Sequence, residues 1–291
     1  MIKRILVYLN EMFPLSSFLG SILTGLAIEL VYLRLYGVTP SNFLSLLLPA
    51  LAITLISLLL RIMDEFKDYD DDLKNFPDRP LPSGRVKKSD LIFLGICCVL
   101  GVLILSSTSN FLFVAGVINL IYSFLMLKWF FMEDKMRKSL PFALATHHPI
   151  VFLNFTYLII ATLSASPNID FTKMFYILPI CLIFTNWEIA RKIRMPVDET
   201  AYTTYSKIWG PRVAVAVAIS LQVIFITTTY LILERLQAPM LFKMFFLIVQ
   251  LALLSPYTRF FKILLIKTPL KKIAELQILS IVLTLLVASC L

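Results

Sequence analysis

Long apolar segments alternate with short polar segments along nearly the whole chain. Each apolar run has about 18–25 residues, which is enough for an α-helix to cross roughly 30 Å of hydrocarbon. The residue-by-residue alternation of apolar and polar positions that is typical of membrane β-strands is absent. The pattern therefore predicts an all-α polytopic membrane protein with nine transmembrane helices in a bundle. The predicted spans are 14–36, 43–62, 90–107, 110–127, 140–164, 172–190, 211–233, 239–257 and 272–290.

Composition agrees with a membrane location. Of the 291 residues, 59% are hydrophobic and only 15% are charged, and the mean hydropathy is +0.85, which excludes an ordinary water-soluble domain. The four cysteines lie inside apolar runs without a CxxC pair, so neither a disulfide framework nor a zinc site is expected. The N-terminus has no small-residue cleavage site after an apolar core, so no cleaved signal peptide is expected.

The basic residues indicate the orientation of the bundle. With nine spans and a cytoplasmic N-terminus, the outer side holds only four of the 27 lysines and arginines, as the positive-inside rule requires. These four are Arg34, Lys173, Arg235 and Lys243. The net charge of +9 is therefore read as a topology signal, and no nucleic-acid partner is expected.

Acidic residues concentrate directly after the second span. Seven of the eighteen acids fall between positions 64 and 78, and Asp64, Asp68 and Asp72 recur every four residues. On a helix this spacing places three carboxylates on one stripe, where they repel one another unless a cation lies among them. Oxygen ligands without nearby His or Cys favour Mg²⁺. The alternative is a solvated acidic loop that merely ends the span.

A segment rich in proline and arginine follows these acids. It contains Arg79-Pro-Leu-Pro-Ser-Gly-Arg85, and the planar guanidinium groups of Arg79 and Arg85 suit the oxygens of a phosphate group. Its Pro, Ser and Gly content suggests a lid over a site. The alternative is a turn with a positively charged anchor on the inner side.

The two motifs together resemble the UbiA superfamily of intramembrane prenyltransferases. Asp64-x-x-x-Asp68-x-x-x-Asp72 and Arg79-Pro-Leu-Pro-Ser-Gly84 are similar to the first signature of that family, and the nine-span count agrees over the full chain. The resemblance implies one domain, 1–291, with helical halves of about 1–138 and 139–291. It also implies that Asp64, Asp68 and Asp72 bind Mg²⁺ against the diphosphate of an isoprenoid donor, with Asp64, Asp68 and Arg79 catalytic.

The second family signature departs from the usual pattern. Where the family has two aspartates four residues apart on the sixth helix, this chain has Glu188 and Lys192. A protonated lysine cannot bind a metal, so either Asp198 or Glu199 folds back to serve, or Lys192 contacts the diphosphate directly and is itself catalytic. By the resemblance, Glu188 and Asp198 are further metal ligands. The diphosphate-binding set implied by the resemblance is Arg79, Arg85, Lys128, Arg137, Arg191, Lys192 and Arg194.

Several polar residues near or within the spans are candidates for an acceptor or tail pocket. Interhelical hydrogen bonds or interfacial anchoring explain them equally well. They are Tyr122, His147, His148, Asn154 and Tyr202.

The resemblance implies transfer of a prenyl group from an isoprenoid diphosphate to a lipophilic acceptor, with an aromatic acceptor as the first expectation. The partners implied are these two substrates and the bilayer, with no protein partner. The expected location is the cell membrane, with the active site on the cytoplasmic side. Two alternatives stay open: a terpene cyclase of the same superfamily that acts on a prenyl diphosphate alone, and an ion-coupled transporter.

Overall fold

The structure, a computed structural model, describes residues 1–40, 42–163, 173, 176–199, 203–263 and 269–291. Fourteen α-helices lie in these ranges. In chain order they are α1 Ile2–Met12, α2 Leu15–Tyr36, α3 Leu44–Lys67, α4 Tyr69–Asn75, α5 Lys88–Ser106, α6 Asn110–Leu127, α7 Glu133–Lys138, α8 Leu140–His147, α9 Pro149–Leu163, α10 Leu178–Ala190, α11 Tyr205–Trp209, α12 Pro211–Arg235, α13 Met240–Ile263 and α14 Leu270–Cys290.

Eight helical segments in the described part of the chain are long and apolar enough to cross a membrane, with α8 and α9 together forming one of them. The prediction of a polytopic helical membrane protein is confirmed. The span predicted at 172–190 corresponds to α10, whose 13 residues rise only about 20 Å. The count of nine spans and the cytoplasmic N-terminus therefore stay predictions.

The chain divides into two compact units. The first comprises Met1–Glu29, Thr39–Arg137 and Leu153–Pro167. In it, α3 packs against α5 and α6. Gly25 of α2 approaches α3 so closely that a Cβ on Gly25 would lie 2.8 Å from the Cβ of Ala50. Such close helix contacts through small residues are typical of membrane bundles, where packing replaces the hydrophobic driving force.

The second unit comprises Leu30–Val38, Lys138–Phe152 and Asn168–Leu291. In it, α10 packs against α12 and α14. A buried line of amides joins these three helices: Asn186 donates to Gln277 at 3.4 Å, and Gln277 donates to Gln222 at 2.7 Å. All three side chains are fully buried, so these hydrogen bonds satisfy polar groups inside the unit and fix the register of the three helices.

Helix α1 is an element that the apolar pattern does not predict, because its 11 residues are too short and too polar for a span. Its residues separate onto two faces. Arg4, Tyr8 and Glu11 follow one another at helical spacing on the protein side, and Tyr8 is fully buried. Ile2 and Leu6 are exposed on the other side.

Candidate active site

The acidic stripe lies on two helices rather than one. Helix α3 continues five residues beyond the predicted end at 62, so Asp64 lies inside it and Asp68 lies at the junction with α4. The hydrogen bonds nevertheless keep helical spacing, since the Asp68 amide donates to the Asp64 carbonyl at 2.9 Å and the Asp72 amide to the Asp68 carbonyl at 2.8 Å. The three aspartates therefore stay one turn apart, although α3 ends between the first and the second of them.

Two of the three carboxylates are paired with basic side chains. Lys67 Nζ lies 2.8 Å from Asp64 Oδ1. Arg79 Nη1 donates to both oxygens of Asp72, at 2.6 and 2.7 Å, and so ties the proline-rich loop to α4. The Asp72 side chain is only 9% exposed, so the arginine compensates a carboxylate that would otherwise be costly to bury.

Asp68 differs from its two neighbours on the stripe. Its side chain is half-buried, and the described residues provide no ion pair or hydrogen bond for its carboxylate. Burial raises the pKa of Asp68 to about 6, and the opposing attraction of Lys67 does not offset this effect. Asp68 is therefore the carboxylate of the stripe that is open to a cation or ligand.

The donor chemistry of the stripe fits Mg²⁺, because it offers carboxylate oxygens and no nitrogen or sulfur ligand. Among the described residues, however, no three His, Cys, Asp or Glu side chains lie close enough together to hold a metal ion. Asp64 and Asp72 are turned to Lys67 and Arg79 instead. Asp68 supplies one free ligand, and Mg²⁺ commonly completes its shell with water and substrate phosphates.

A left-handed turn places an aromatic ring beside this cluster. Trp129, Phe130 and Phe131 have φ angles of 51°, 49° and 57°. Such a conformation costs about 1–2 kcal/mol per non-glycine residue. The turn brings the Trp129 ring to 4.8 Å from Lys67 Nζ and 5.2 Å from the Arg137 guanidinium. The strained turn therefore helps to hold two cations near the acids.

The basic residues predicted after the fourth span lie in different surroundings. Arg137 pairs with Asp71 at 2.7 Å and with Glu133 at 2.8 Å, which raises the pKa of Arg137 further. Lys128 is exposed at the end of α6, and the ring of Tyr122 packs edge-on against Phe130 at 5.1 Å. The structure thus joins Arg137, but not Lys128, to the acidic segment.

A second charged cluster lies at the end of α10. Lys192 Nζ lies 3.0 Å from Glu188 Oε1, and Arg191 donates to both oxygens of Glu188 at 2.5 and 2.8 Å. Lys192 is only 9% exposed. The ammonium group of Lys192 is therefore buried and paired rather than free in solvent, unlike a simple topology anchor.

The acids that follow α10 make no ion pair with Lys192 among the described residues. Glu199 accepts hydrogen bonds from the hydroxyls of Thr204, at 2.9 Å, and Ser206, at 2.5 Å. The Arg194 amide donates to the same Ser206 hydroxyl at 3.0 Å. Asp198 is exposed in a short 3₁₀ turn, Pro196–Asp198. Glu199 is thus fixed by local hydroxyls, while the metal-binding role of Asp198 stays a prediction.

The candidates for a pocket lie mainly in hydrogen-bonded positions. His148 Nε2 is 3.2 Å from the carbonyl of Cys181, which joins two helices, and His147 Nδ1 is 2.9 Å from the carbonyl of Ala143. Asn154 is 7% exposed, and its Oδ1 is buried without a partner among the described residues. Tyr202 lies outside the described residues.

Sequence reasoning missed Glu29, a carboxyl group within α2. It is fully buried, and neither of its side-chain oxygens has a hydrogen-bond partner in the part of the chain that the structure describes. The signal that would have found it is simple, because an acid inside an apolar span is rare and calls for an explanation.

We expect Glu29→Leu to stabilise the protein, because the substitution removes an unpaired buried carboxyl group whose desolvation costs about 1–3 kcal/mol. The measurement is the unfolding midpoint in detergent, compared between wild type, Glu29→Leu and Glu29→Gln. The glutamine variant keeps a buried polar group and should show no such gain. A lower midpoint for Glu29→Leu would mean that the carboxyl has a partner in the folded protein.

Comparison with known proteins gives one solved structure that covers the whole bundle. That structure concerns a digeranylgeranylglyceryl phosphate synthase in membranes; it shares 18% sequence identity, the match covers 99% of each chain, and the TM-score is 0.65. This chain has the same fold. The all-helical membrane architecture inferred from the apolar pattern is thereby confirmed. No protein-family model matches the chain, and no curated protein matches it.

Proposed function

We propose that the protein is a Mg²⁺-dependent intramembrane prenyltransferase. It moves a prenyl group from an isoprenoid diphosphate to a lipophilic acceptor. The observation that carries this proposal is the stripe of Asp64, Asp68 and Asp72 with Arg79 docked upon it, in a chain that has the fold of a digeranylgeranylglyceryl phosphate synthase. The proposal needs both the charged stripe and the fold, because one fold hosts many functions and acidic segments are common.

The residues of the first unit have distinct roles in this proposal. Asp68, with Asp64 and Asp72 one turn to either side, would hold Mg²⁺, which when bound neutralises charge on the diphosphate. Arg79 and Lys67 are the cations already in contact with the stripe. Because diphosphate oxygens compete for the same cations, substrate binding would release Asp64 and Asp72 from these pairs.

In the second unit, Lys192 and Arg191 are proposed to bind diphosphate oxygens, with Glu188 orienting both side chains. Lys192 supplies positive charge where the related signature has a second aspartate, so it replaces part of the charge of a metal ion. Glu188 touches both cations and therefore limits the rotamers from which they can act.

The chemical step breaks the allylic C–O bond, and the electron pair leaves with the diphosphate. Positive charge develops on the allylic carbon, and the acceptor supplies the electron pair of the new bond. The acceptor then loses a proton to water or to the released diphosphate. The protein must stabilise the leaving group and exclude water from the cation. A membrane bundle suits this reaction because both the prenyl tail and a lipophilic acceptor partition into lipid.

A terpene cyclase is the second candidate function, and Lys192 is the observation that favours it. In that reaction double bonds of the same substrate capture the allylic cation, and no separate acceptor is required. For either reaction we propose a multi-pass location in the cell membrane with the charged clusters on the cytoplasmic side, as the distribution of basic residues indicates.

The test is to incubate purified protein in detergent with Mg²⁺ and farnesyl or geranylgeranyl diphosphate, first without acceptor and then with membrane lipid extract. We expect diphosphate release and a prenylated adduct only when the extract is present. Mass spectrometry detects both products. A cyclic hydrocarbon or alcohol formed without acceptor would identify a cyclase. Absence of release from either donor, with folded protein, would refute both enzyme functions and leave the transporter to be tested by vesicle uptake.

A further inference from the structure

Helix α1 makes two bidentate ion pairs with the segment that follows the acidic stripe. At its start, Arg4 donates to both oxygens of Asp90, through Nε at 2.6 Å and Nη2 at 2.8 Å. Asp90 also accepts from the Lys87 amide at 3.1 Å and so caps the first turn of α5. The Arg4 ion pair therefore connects α1 to the first turn of α5, directly after the proline-rich loop.

At the other end of α1, Glu11 pairs with Arg85. Arg85 Nη2 donates to Glu11 Oε2 at 2.9 Å, and Nη1 donates to Oε1. The same guanidinium donates to the carbonyl of Asp78 at 2.6 Å and, through Nε, to the hydroxyl of Ser83 at 3.1 Å. The hydrogen bond from Arg85 holds the pKa of Glu11 below its usual value, so Glu11 stays ionised at neutral pH.

All three nitrogens of Arg85 are therefore engaged by the protein itself. Arg79 differs, because its guanidinium donates to a carboxylate of the acidic stripe and lies 4.0 Å from the centre of the Phe76 ring, with no side-chain hydrogen bond to a described residue of the loop. The two arginines of the motif thus have unlike surroundings, although they look equivalent in the sequence. Arg85 joins α1 to the loop, and Arg79 joins the loop to the stripe.

The loop between these arginines is held by its own hydrogen bonds. The Ser83 amide donates to the Arg79 carbonyl at 3.0 Å, and the Val86 amide donates to the Pro80 carbonyl at 2.9 Å. Leu81 and Val86 are buried, at 4% and 1% exposure. A shift of Arg85 would therefore move the backbone that carries Arg79.

We propose that α1 is a strap that positions the loop 76–87, and that Glu11, Arg4 and Arg85 are positioning residues rather than groups that touch the diphosphate. In this proposal, α1 determines the position of the Arg79 guanidinium relative to the Asp72 carboxylate. This inference rests on the proposed function for its effect on turnover, but the effect on loop structure is independent of any activity.

The deciding comparison is between Arg85→Glu and the charge-swapped pair Glu11→Arg with Arg85→Glu. The swap keeps the ion pair but removes the cation from position 85. We expect Glu11→Gln to raise the KM for the prenyl diphosphate by up to about fivefold with kcat unchanged, the size expected for an exposed ion pair. Arg85→Glu should raise KM more, and the swapped pair should return it to within about twofold of the wild-type value.

A second measurement needs no turnover. Hydrogen exchange of the Ser83, Gly84 and Val86 amides should be faster in Glu11→Gln and in Arg85→Glu, and protected again in the swapped pair. Lys3→Gln is the matched control, because Lys3 is exposed on the same helix and pairs with no described residue. It should change neither KM nor exchange.

The outcomes separate the two proposals. If wild-type protein has no activity but the exchange rates follow this pattern, the strap is correct and the proposed function is wrong. If the swapped pair recovers exchange protection but its KM stays as high as that of Arg85→Glu, then Arg85 binds the diphosphate directly. If exchange is the same in all variants, α1 does not position the loop and the inference is overturned.

Discussion

Replacing Asp68 with Asn should lower kcat/KM for prenyl transfer by about 10³-fold or more, equivalent to roughly 4 kcal/mol of transition-state stabilisation. Asp68 is the carboxylate of the stripe that no described cation neutralises, and it is half-buried. The amide keeps the shape of the side chain but cannot bind a cation through a full negative charge. The measurement is the rate of diphosphate release at saturating Mg²⁺.

Asp70→Asn is the matched control for this prediction. Asp70 lies two residues away in the same acidic segment, is exposed, and makes no ion pair with any described residue. Its variant should retain activity within about twofold, because an exposed unpaired charge contributes little. Calorimetry should also show weaker Mg²⁺ binding for Asp68→Asn alone. Equal activity in the two variants would indicate that this segment is a solvated acidic loop that does not bind Mg²⁺.

Lys192→Met should lower kcat/KM for the prenyl diphosphate by about 10²-fold, which corresponds to roughly 3 kcal/mol. The ammonium group is buried at the end of α10 and paired with Glu188, and methionine keeps much of its volume without the charge. Glu188 retains Arg191 as a partner in the variant, so the fold should survive. Steady-state kinetics should place most of the loss in KM.

Two further variants test the role of Lys192. Lys272→Met removes an exposed lysine at the start of α14 and should have no effect, since among the described residues Glu188 pairs with Arg191 and Lys192 and not with Lys272. Lys192→Arg keeps the charge and should recover part of the activity, because its guanidinium can also donate to phosphate oxygens. Full activity of Lys192→Met would mean that Lys192 is a topology anchor without a role in catalysis.

The positions of the membrane helices were predictable because the bilayer imposes a simple requirement on sequence. A segment must be apolar over about 20 residues to cross the hydrocarbon, and that property is local. Helices α5 and α6 accordingly lie within two residues of the predicted spans at each end. The end of α3 was placed five residues too early, because its last turn carries charged residues that pair within the helix, as Lys67 does with Asp64.

The acidic stripe was also predictable, since four-residue spacing survives the junction between α3 and α4. Two ion pairs that join residues far apart in the sequence were not predictable. Arg137 lies 66 residues from Asp71, and Arg85 lies 74 residues from Glu11, so no local pattern relates the members of either pair. Helix α1 was missed for the same reason, because an 11-residue helix is only marginally stable until tertiary contacts such as those of Tyr8 bury one face.

By itself the sequence determined the membrane environment, the helical class and the location of two charged clusters, because hydropathy and short-range spacing are properties of consecutive residues. Only the tertiary structure decided which charges are neutralised: Asp72 by Arg79, Glu188 by Arg191 and Lys192, and Arg85 by Glu11. It also left Asp68 open and Glu29 buried without a described partner. The physical reason is that the packing of whole helices decides which side chains are buried and which partner each one meets. This holds for a partner four residues away, as for Glu188 and Lys192, and for one 74 residues away, as for Glu11 and Arg85.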